Sequence, residues 1–217
     1  MAKRVYTQLA ALTVFLSPVL AVPVMAQAAR SSAAVAPMPR AETAQIDGIM
    51  SNIVDDLWKE TDEYWHHGDY PRIVDLDRII VMIDPSFQEC YSTGGWLMDS
   101  LGRRSDAEAF YKLSIKNNPN MSGPYYDLGM FYMNTTKNYR AAVVVLRRGV
   151  ATNVRGAGED KNRMLSAKLL AHAYEHSGNL TASLKTWQSI KKRWPKAPAV
   201  DSNLRRVRAK INVTSAG

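Results

Sequence analysis

A single cysteine, Cys90, stands in a chain of 217 residues, so no intramolecular disulfide can brace the fold. A lone thiol leaves two readings open, pairing with another molecule or packing as a small apolar residue. Apolar-polar alternation at period two is scarce, which leaves nucleotide-binding α/β folds without support. A phosphate-binding loop is missing as well: Gly156-Ala157-Gly158-Glu159-Asp160-Lys161 has neither the spacing nor a preceding strand pattern. No serine or cysteine comes with a recognisable base partner, so covalent catalysis has no candidate. An uninterrupted membrane-spanning run is absent too, because Thr13, Ser17, Pro18 and Pro23 break the apolar stretch Leu9 to Val24.

That stretch has another reading. Lys3 and Arg4 precede it and Ala26-Gln27-Ala28 follows it, a small-x-small cleavage pattern, which together outline a secretory signal peptide over 1–28. The expectation is an exported protein, periplasmic or secreted after cleavage, with retention as an anchor as the alternative. Residues 29–45 are rich in Ala, Ser and Pro and read as a disordered linker. Four N-x-S/T triplets, at Asn120, Asn134, Asn179 and Asn212, matter only in a host that glycosylates exported chains.

Charge is uneven. The net charge is +8. Lys191, Lys192, Arg193, Lys196, Arg205, Arg206, Arg208 and Lys210 face one acid, Asp201, between positions 191 and 210. The basic excess is therefore C-terminal. Residues 198–211 carry Val200, Leu204, Val207 and Ile211 on one face, the pattern of an amphipathic helix. Such a helix can cap a helical array, or attract an anionic membrane or wall surface. Export disfavours nucleic acid as a partner.

The chain repeats itself. Gly68 and Gly102 lie 34 residues apart, and so do Pro85 and Pro119. A period of that length marks stacked helical hairpins, none of which can bury its apolar face alone. One hairpin reads Leu57, Tyr64, Gly68-Asp69-Tyr70, Ile73, Ile80, Asp84-Pro85; the next reads Tyr91, Gly95, Met98, Gly102, Ala107, Tyr111, Ser114, Asn118-Pro119. A third follows through Tyr125, Leu128-Gly129, Tyr132, Asn138-Tyr139, Ala142, Leu146 and Gly149, with one extra residue near Thr135-Thr136. A fourth carries Leu170-Ala171, Tyr174, Gly178-Asn179-Leu180, Ser183, Trp187, Ile190 and Trp194-Pro195, after an insertion assigned to the polar loop Asn153 to Lys161.

In period and in the residues at the marked positions, the chain resembles the tetratricopeptide repeat (TPR) family over roughly residues 46–195. The resemblance implies an all-α, TPR-like helical-hairpin solenoid of three to four repeats with a C-terminal capping helix. The approximate units are 54–87, 88–121, 122–154 and 164–197, followed by the basic cap at 198–211. It also implies a ligand surface on the concave side, lined by the first helix of each pair. Counting from the aligned prolines puts Asp55, Trp58, Asp62, Trp65 and His66 there in the first unit, and Glu89, Ser92, Trp96, Asp99 and Ser100 in the second. The third contributes Tyr126, Met130, Met133 and Asn134, and the fourth Lys168, His172, Glu175 and His176. The expected groove is acidic and aromatic, fitted to a protein or peptide segment rich in apolar and Lys/Arg residues. Chaperone-binding relatives clamp a carboxylate terminus with basic residues; Trp58, Asp62 and Asp127 stand in those places here, so that activity is not expected.

One enzymatic alternative has a motif. His172-Ala173-Tyr174-Glu175-His176 matches H-x-x-E-H, in which two histidines one helical turn apart could hold zinc and Glu175 act as base, making a metal-dependent hydrolase. A third protein ligand is not evident, and the repeat pattern already accounts for Tyr174. The leading expectation is a non-catalytic extracytoplasmic interaction adaptor with no cofactor.

Overall fold

Four helical turns in this protein are built alike: one residue in the left-handed backbone region, then a residue that starts the next helix. The computed structural model describes residues 40–153 and 155–215. Among them are nine α-helices and no strand: α1 (Arg40–His67), α2 (Tyr70–Ile83), α3 (Gln88–Ser100), α4 (Arg104–Asn117), α5 (Gly123–Asn134), α6 (Tyr139–Ala151), α7 (Ala157–His176), α8 (Leu180–Arg193) and α9 (Val200–Ser215). The all-α, TPR-like solenoid is the observed architecture. The signal-peptide reading, most of the linker and Val154 lie outside the described residues. No helix among the described residues is long and apolar enough to cross a membrane.

Within the four hairpins the left-handed positions are Gly68 (φ 72), Gly102 (φ 77), Lys137 (φ 54) and Gly178 (φ 83), and Ala199 (φ 64) takes the same conformation just before α9. Glycine suits them because a Cβ crowds the neighbouring carbonyl at positive φ. Lys137 is the exception among the hairpins, and it is where the extra residue of the third hairpin is absorbed. Asp69, Asn138 and Asn179 follow as helix caps, accepting from the backbone N–H of Arg72, Ala141 and Ala182.

Each helix packs on its neighbours in sequence, while α3 also touches α5 and α5 touches α7, so the first helices of successive hairpins lie side by side. Small residues permit the approach. A Cβ on Gly95 would stand 2.5 Å from the Tyr111 ring, and one on Gly129 would collide with Leu146. The apolar interior forms two clusters that share α7. Leu170 and Ala173 belong to the larger one, which runs from Val54 to the middle of the chain. Ala167 and Ala171 belong to the smaller, with Trp187, Ile190, Val200, Leu204 and Val207. Cys90 is fully buried, consistent with packing.

Three boundaries differ from the sequence reading. Helix α1 begins at Arg40, not near 46, because Ala-Glu-Thr-Ala-Gln-Ile after the last proline, Pro39, favours helix. Helix α7 begins at Ala157, so much of the insertion extends a helix and is not loop; Glu159 and Asp160 suit the positive end of that helix. Helix α9 runs on to Ser215, four residues past the expected end.

Candidate functional site

Two adjoining hollows lie along the surface formed by α1, α3 and α5. The first, about 660 Å³, is lined by Trp58, Lys59, Thr61, Asp62, Trp65, Ile73, Ser92, Thr93 and Trp96. The second, about 420 Å³, is lined by Ser92, Trp96, Asp99, Tyr111, Tyr126, Asp127, Met130, Phe131, Asn134 and Thr135. Ser92 and Trp96 belong to both, so the hollows form one continuous groove with Trp96 as the shared wall.

Helical spacing explains why these side chains converge. On α1, Trp58, Thr61, Asp62 and Trp65 recur every three or four residues and share a face. On α3, Ser92, Trp96 and Asp99 do the same. The Trp65 and Trp96 rings lie 6.1 Å apart between centroids, and Trp65 also meets Tyr70 edge-on at 5.6 Å. Trp65 and Trp96 remain 44% and 53% exposed, unusual for side chains so apolar. Trp58 differs: it is half-buried and packs on Phe87 at 5.2 Å, so it serves both the core and the groove wall.

The polar groups of the second hollow are held in place. Asp127 accepts from Ser92 Oγ at 2.5 Å and from Gln88 Nε2 at 3.1 Å. Burial raises its pKa, while those two hydrogen bonds pull it down. Asp99 accepts from Thr135 Oγ1 at 2.5 Å, with Arg104 Nε 3.9 Å away on the rim. The Tyr111 hydroxyl is pushed up by burial and by the charges of Asp127 and Asp99. In the first hollow Asp62 is exposed and lies 3.6 Å from His66 Nε2, and Lys59 is held by Asp56 at 3.1 Å. The groove thus carries the carboxylates of Asp62, Asp99 and Asp127 against one lysine that already has a partner.

The structure brings Trp58, Asp62, Trp65, Ser92, Trp96, Asp99, Tyr126, Met130 and Asn134 together. Asp55, Glu89 and Ser100 are exposed and line neither hollow. Met133 is 7% exposed and belongs to the core, because it falls on the face of α5 turned toward its neighbours. Glu175 requires a correction. It is a buried carboxylate bonded by Arg206 Nη1 and, at 2.7 Å, by Lys210 Nζ, both from α9. Burial raises its pKa, but the two cations outweigh that and hold it below the usual carboxylate range. Its charge is spent inside the fold and does not face a ligand.

The H-x-x-E-H motif disperses for the same reason. His172 is half-buried edge-on to Trp187 at 5.1 Å, and burial together with Arg206 lowers its pKa. His176 stacks on Tyr139 at 4.8 Å. His172 Nδ1 lies 4.0 Å from Glu175 Oε2, but the other Glu175 oxygen is committed to α9 and His176 to Tyr139, and no group of three possible metal ligands forms among the described residues. The C-terminal cations are also partly engaged: Lys191 pairs with Asp201 at 2.8 Å, and Arg193 reaches Asp160 at 3.5 Å. Lys192, Lys196 and Arg208 have no ion-pair partner among the described residues.

From sequence, Ser92 counts into the groove and Asp127 is only compared with the basic clamp positions of relatives; the Gln88 and Ser92 hydrogen bonds that hold Asp127 there are not foreseen. One signal was available, since Asp127 is the only charged residue in α5.

No family model matches the chain, and no curated protein does. Solved structures do share its fold. PilF of Pseudomonas aeruginosa superposes with a TM-score of 0.58 at 13% identity, over 75% of this chain and 71% of that one. MamA gives 0.57 at 16% identity, over 78% and 86%. YrrB, a TPR protein with an unusual peptide-binding site, gives 0.53 at 12% identity, over 75% and 84%. At these identities the likeness concerns the helical-hairpin architecture.

Proposed function

We propose that this TPR-like chain is a non-catalytic adaptor that holds a segment of a partner protein in the groove between α1, α3 and α5. The observation that carries the reading is the Trp65–Trp96 pair, half-exposed above a hollow and continuous with a second hollow floored by Asp99 and Asp127. Exposed indoles on a rigid helical frame supply contact area with little side-chain ordering on binding. Asp62 and Asp127, neither paired with a lysine or an arginine, favour Lys or Arg on the ligand and disfavour acidic segments. The expected ligand is an apolar and basic peptide. The peptide-binding site of YrrB, on a similar fold, is in keeping with this use of the surface. An extracytoplasmic setting is supported by the charged, apolar and small-residue order of residues 1–28.

The test is selection of peptides from a random displayed library against wild type, followed by calorimetric titration of the winners. Enrichment of Lys/Arg and apolar residues is expected. The Trp65→Ala/Trp96→Ala variant should bind those peptides at least tenfold more weakly, with an unchanged melting temperature. Trp58 is left intact because it also supports Phe87. Equal affinity in the folded double variant would remove the groove from the proposal, and enrichment of acidic peptides would remove its charge argument.

A further inference from the structure

Tyr111, on α4, is 7% exposed and its ring is held from two sides. Gly95 of α3 lies so close that a Cβ there would stand 2.5 Å from the ring, and Phe131 of α5 packs 5.8 Å away between centroids. The position of the hydroxyl is therefore set by the fold. That hydroxyl lines the second hollow and has no hydrogen-bond partner among the described residues. A phenol so deeply set normally finds one. It stands near two carboxylates, since the charges of both Asp127 and Asp99 act on it. Each of these keeps an oxygen open. Asp127 takes its hydrogen bonds from Ser92 and Gln88 on Oδ2 alone, and no lysine or arginine pairs with it among the described residues. Asp99 takes Thr135 on Oδ2, which leaves Oδ1 with only Arg104 Nε, 3.9 Å away. Three acceptors thus enter one hollow from three helices: Asp99 from α3, Tyr111 from α4 and Asp127 from α5.

We infer that the second hollow is a pocket for one lysine side chain of the partner, its ammonium held by Tyr111, Asp99 and Asp127. This rests on the groove reading above and narrows it to a single side chain and its contacts. A lysine ammonium is a compact charge with three donors and no acceptor. Acceptors that come from three separate helices suit it, whereas the planar fork of arginine calls for acceptors in its own plane. The four-carbon stem is apolar, and Trp96, Met130 and Phe131 give it an apolar wall to lie on. The hollow is also short of positive charge. Burial raises the pKa of Asp127, and a ligand ammonium beside it would favour the charged carboxylate again. Tyr111 separates this pocket from general attraction between opposite charges. Carboxylates draw any cation, but a hydroxyl fixed by Gly95 and Phe131 bonds only to a group that enters the hollow.

Chemical-shift titration of the full chain with Nα-acetyl-lysine methylamide tests the pocket without a peptide. Saturable shifts centred on Asp99, Tyr111 and Asp127 are expected, with dissociation in the millimolar range. The norleucine analogue keeps the stem but lacks the ammonium, and should not saturate these sites. Tyr111→Phe keeps the ring and should bind the lysine compound about tenfold more weakly. Its melting temperature should not fall, because the hydroxyl bonds to nothing in the fold. No saturation of wild type up to about 50 mM would overturn the inference. Undiminished binding by Tyr111→Phe, or by the norleucine analogue, would overturn it as well. Equal or tighter binding of the arginine analogue would overturn the choice of an ammonium. The groove reading fails separately. If the lysine compound binds but display enriches no peptide, the pocket stands and the groove falls. If enriched peptides depend on Trp65 and Trp96 yet tolerate both Tyr111→Phe and exchange of their lysines for norleucine, the groove stands and the pocket falls.

Discussion

The backbone N–H of Ser122 donates to the carboxylate of Glu159 at 2.7 Å, although 37 residues separate them. Ser122 stands at the start of α5 without a capping bond from its own side chain, whose hydroxyl meets Ser166 Oγ at 3.2 Å instead. Glu159, from the first turn of α7, supplies in trans the carboxylate that a capping box places at the third helical residue, here Tyr125. Glu159→Ala should lower stability by about 1–2 kcal/mol, the usual penalty for losing a cap together with a buried partner. Glu159→Gln keeps an acceptor and should lose less. Urea denaturation of the two variants beside wild type gives the comparison.

Asp77 is fully buried and neither carboxylate oxygen has a hydrogen-bond partner. Burial pushes its pKa up to about 7, with the neighbouring Cys90 thiol pulling it the other way. Between the unfolded value near 4 and that raised value, the folded state keeps a proton that the unfolded chain has released. Asp77 therefore supports the fold fully below about pH 4, and this support is lost as the pH rises to 7. Asp77→Asn removes the ionisation. Relative to wild type it should gain on the order of 3–4 kcal/mol between pH 4 and pH 7.5. Parallel stability curves for the two proteins would show that the buried site does not titrate in this range.

Glu175→Gln leaves Arg206 and Lys210 without their carboxylate. Both cations are partly exposed, 39% and 53% at the side chain, so water recovers some of the loss. A destabilisation of about 1–2 kcal/mol is expected, with faster hydrogen exchange in α9 and none in α3. Because Glu175 has a lowered pKa, wild type should lose this support as the pH falls through the folded-state value, and the variant should not.

Lys137 takes the left-handed position that glycine fills in the turns of the other three hairpins. Lys137→Gly should stabilise the protein by about 0.5–1 kcal/mol, a rare gain from adding a glycine. Thermal melts decide it; a lower melting temperature would mean that the lysine side chain makes up for its backbone.

Much of this architecture could be read from the chain because punctuation and periodicity agree. Gly68, Gly102 and Gly178 end helices, and Asp69, Asn138 and Asn179 open the next ones. Where the reading failed, the deciding partner was remote in sequence. Ala157–Lys161 looks like a polar loop until Glu159 is seen to serve Ser122. Glu175 looks like a groove acid until Arg206 and Lys210 arrive from α9. Counting along α1 and α3 placed Trp65 and Trp96 on a common surface, since both lie on regular helices close to the turn that ends them. Met133 was misplaced because nearly every side chain of α5 is apolar, which erases the contrast between its inner and outer faces.

Helix α7 contributes to two apolar clusters from two neighbouring faces, with Leu170 and Ala173 in one cluster and Ala167 and Ala171 in the other. Such a helix is a party wall between two cooperative units. Opening α8 and α9 would strip one side of that wall while the other side stays covered. The consequence is a division of labour in time: the C-terminal unit can breathe on its own schedule while the groove keeps its shape. A peptide in the groove should then slow amide exchange in α1, α3 and α5 and leave the rate in α8 unchanged. Uniform slowing across all helices would mean that the wall transmits, and that the whole array opens as one.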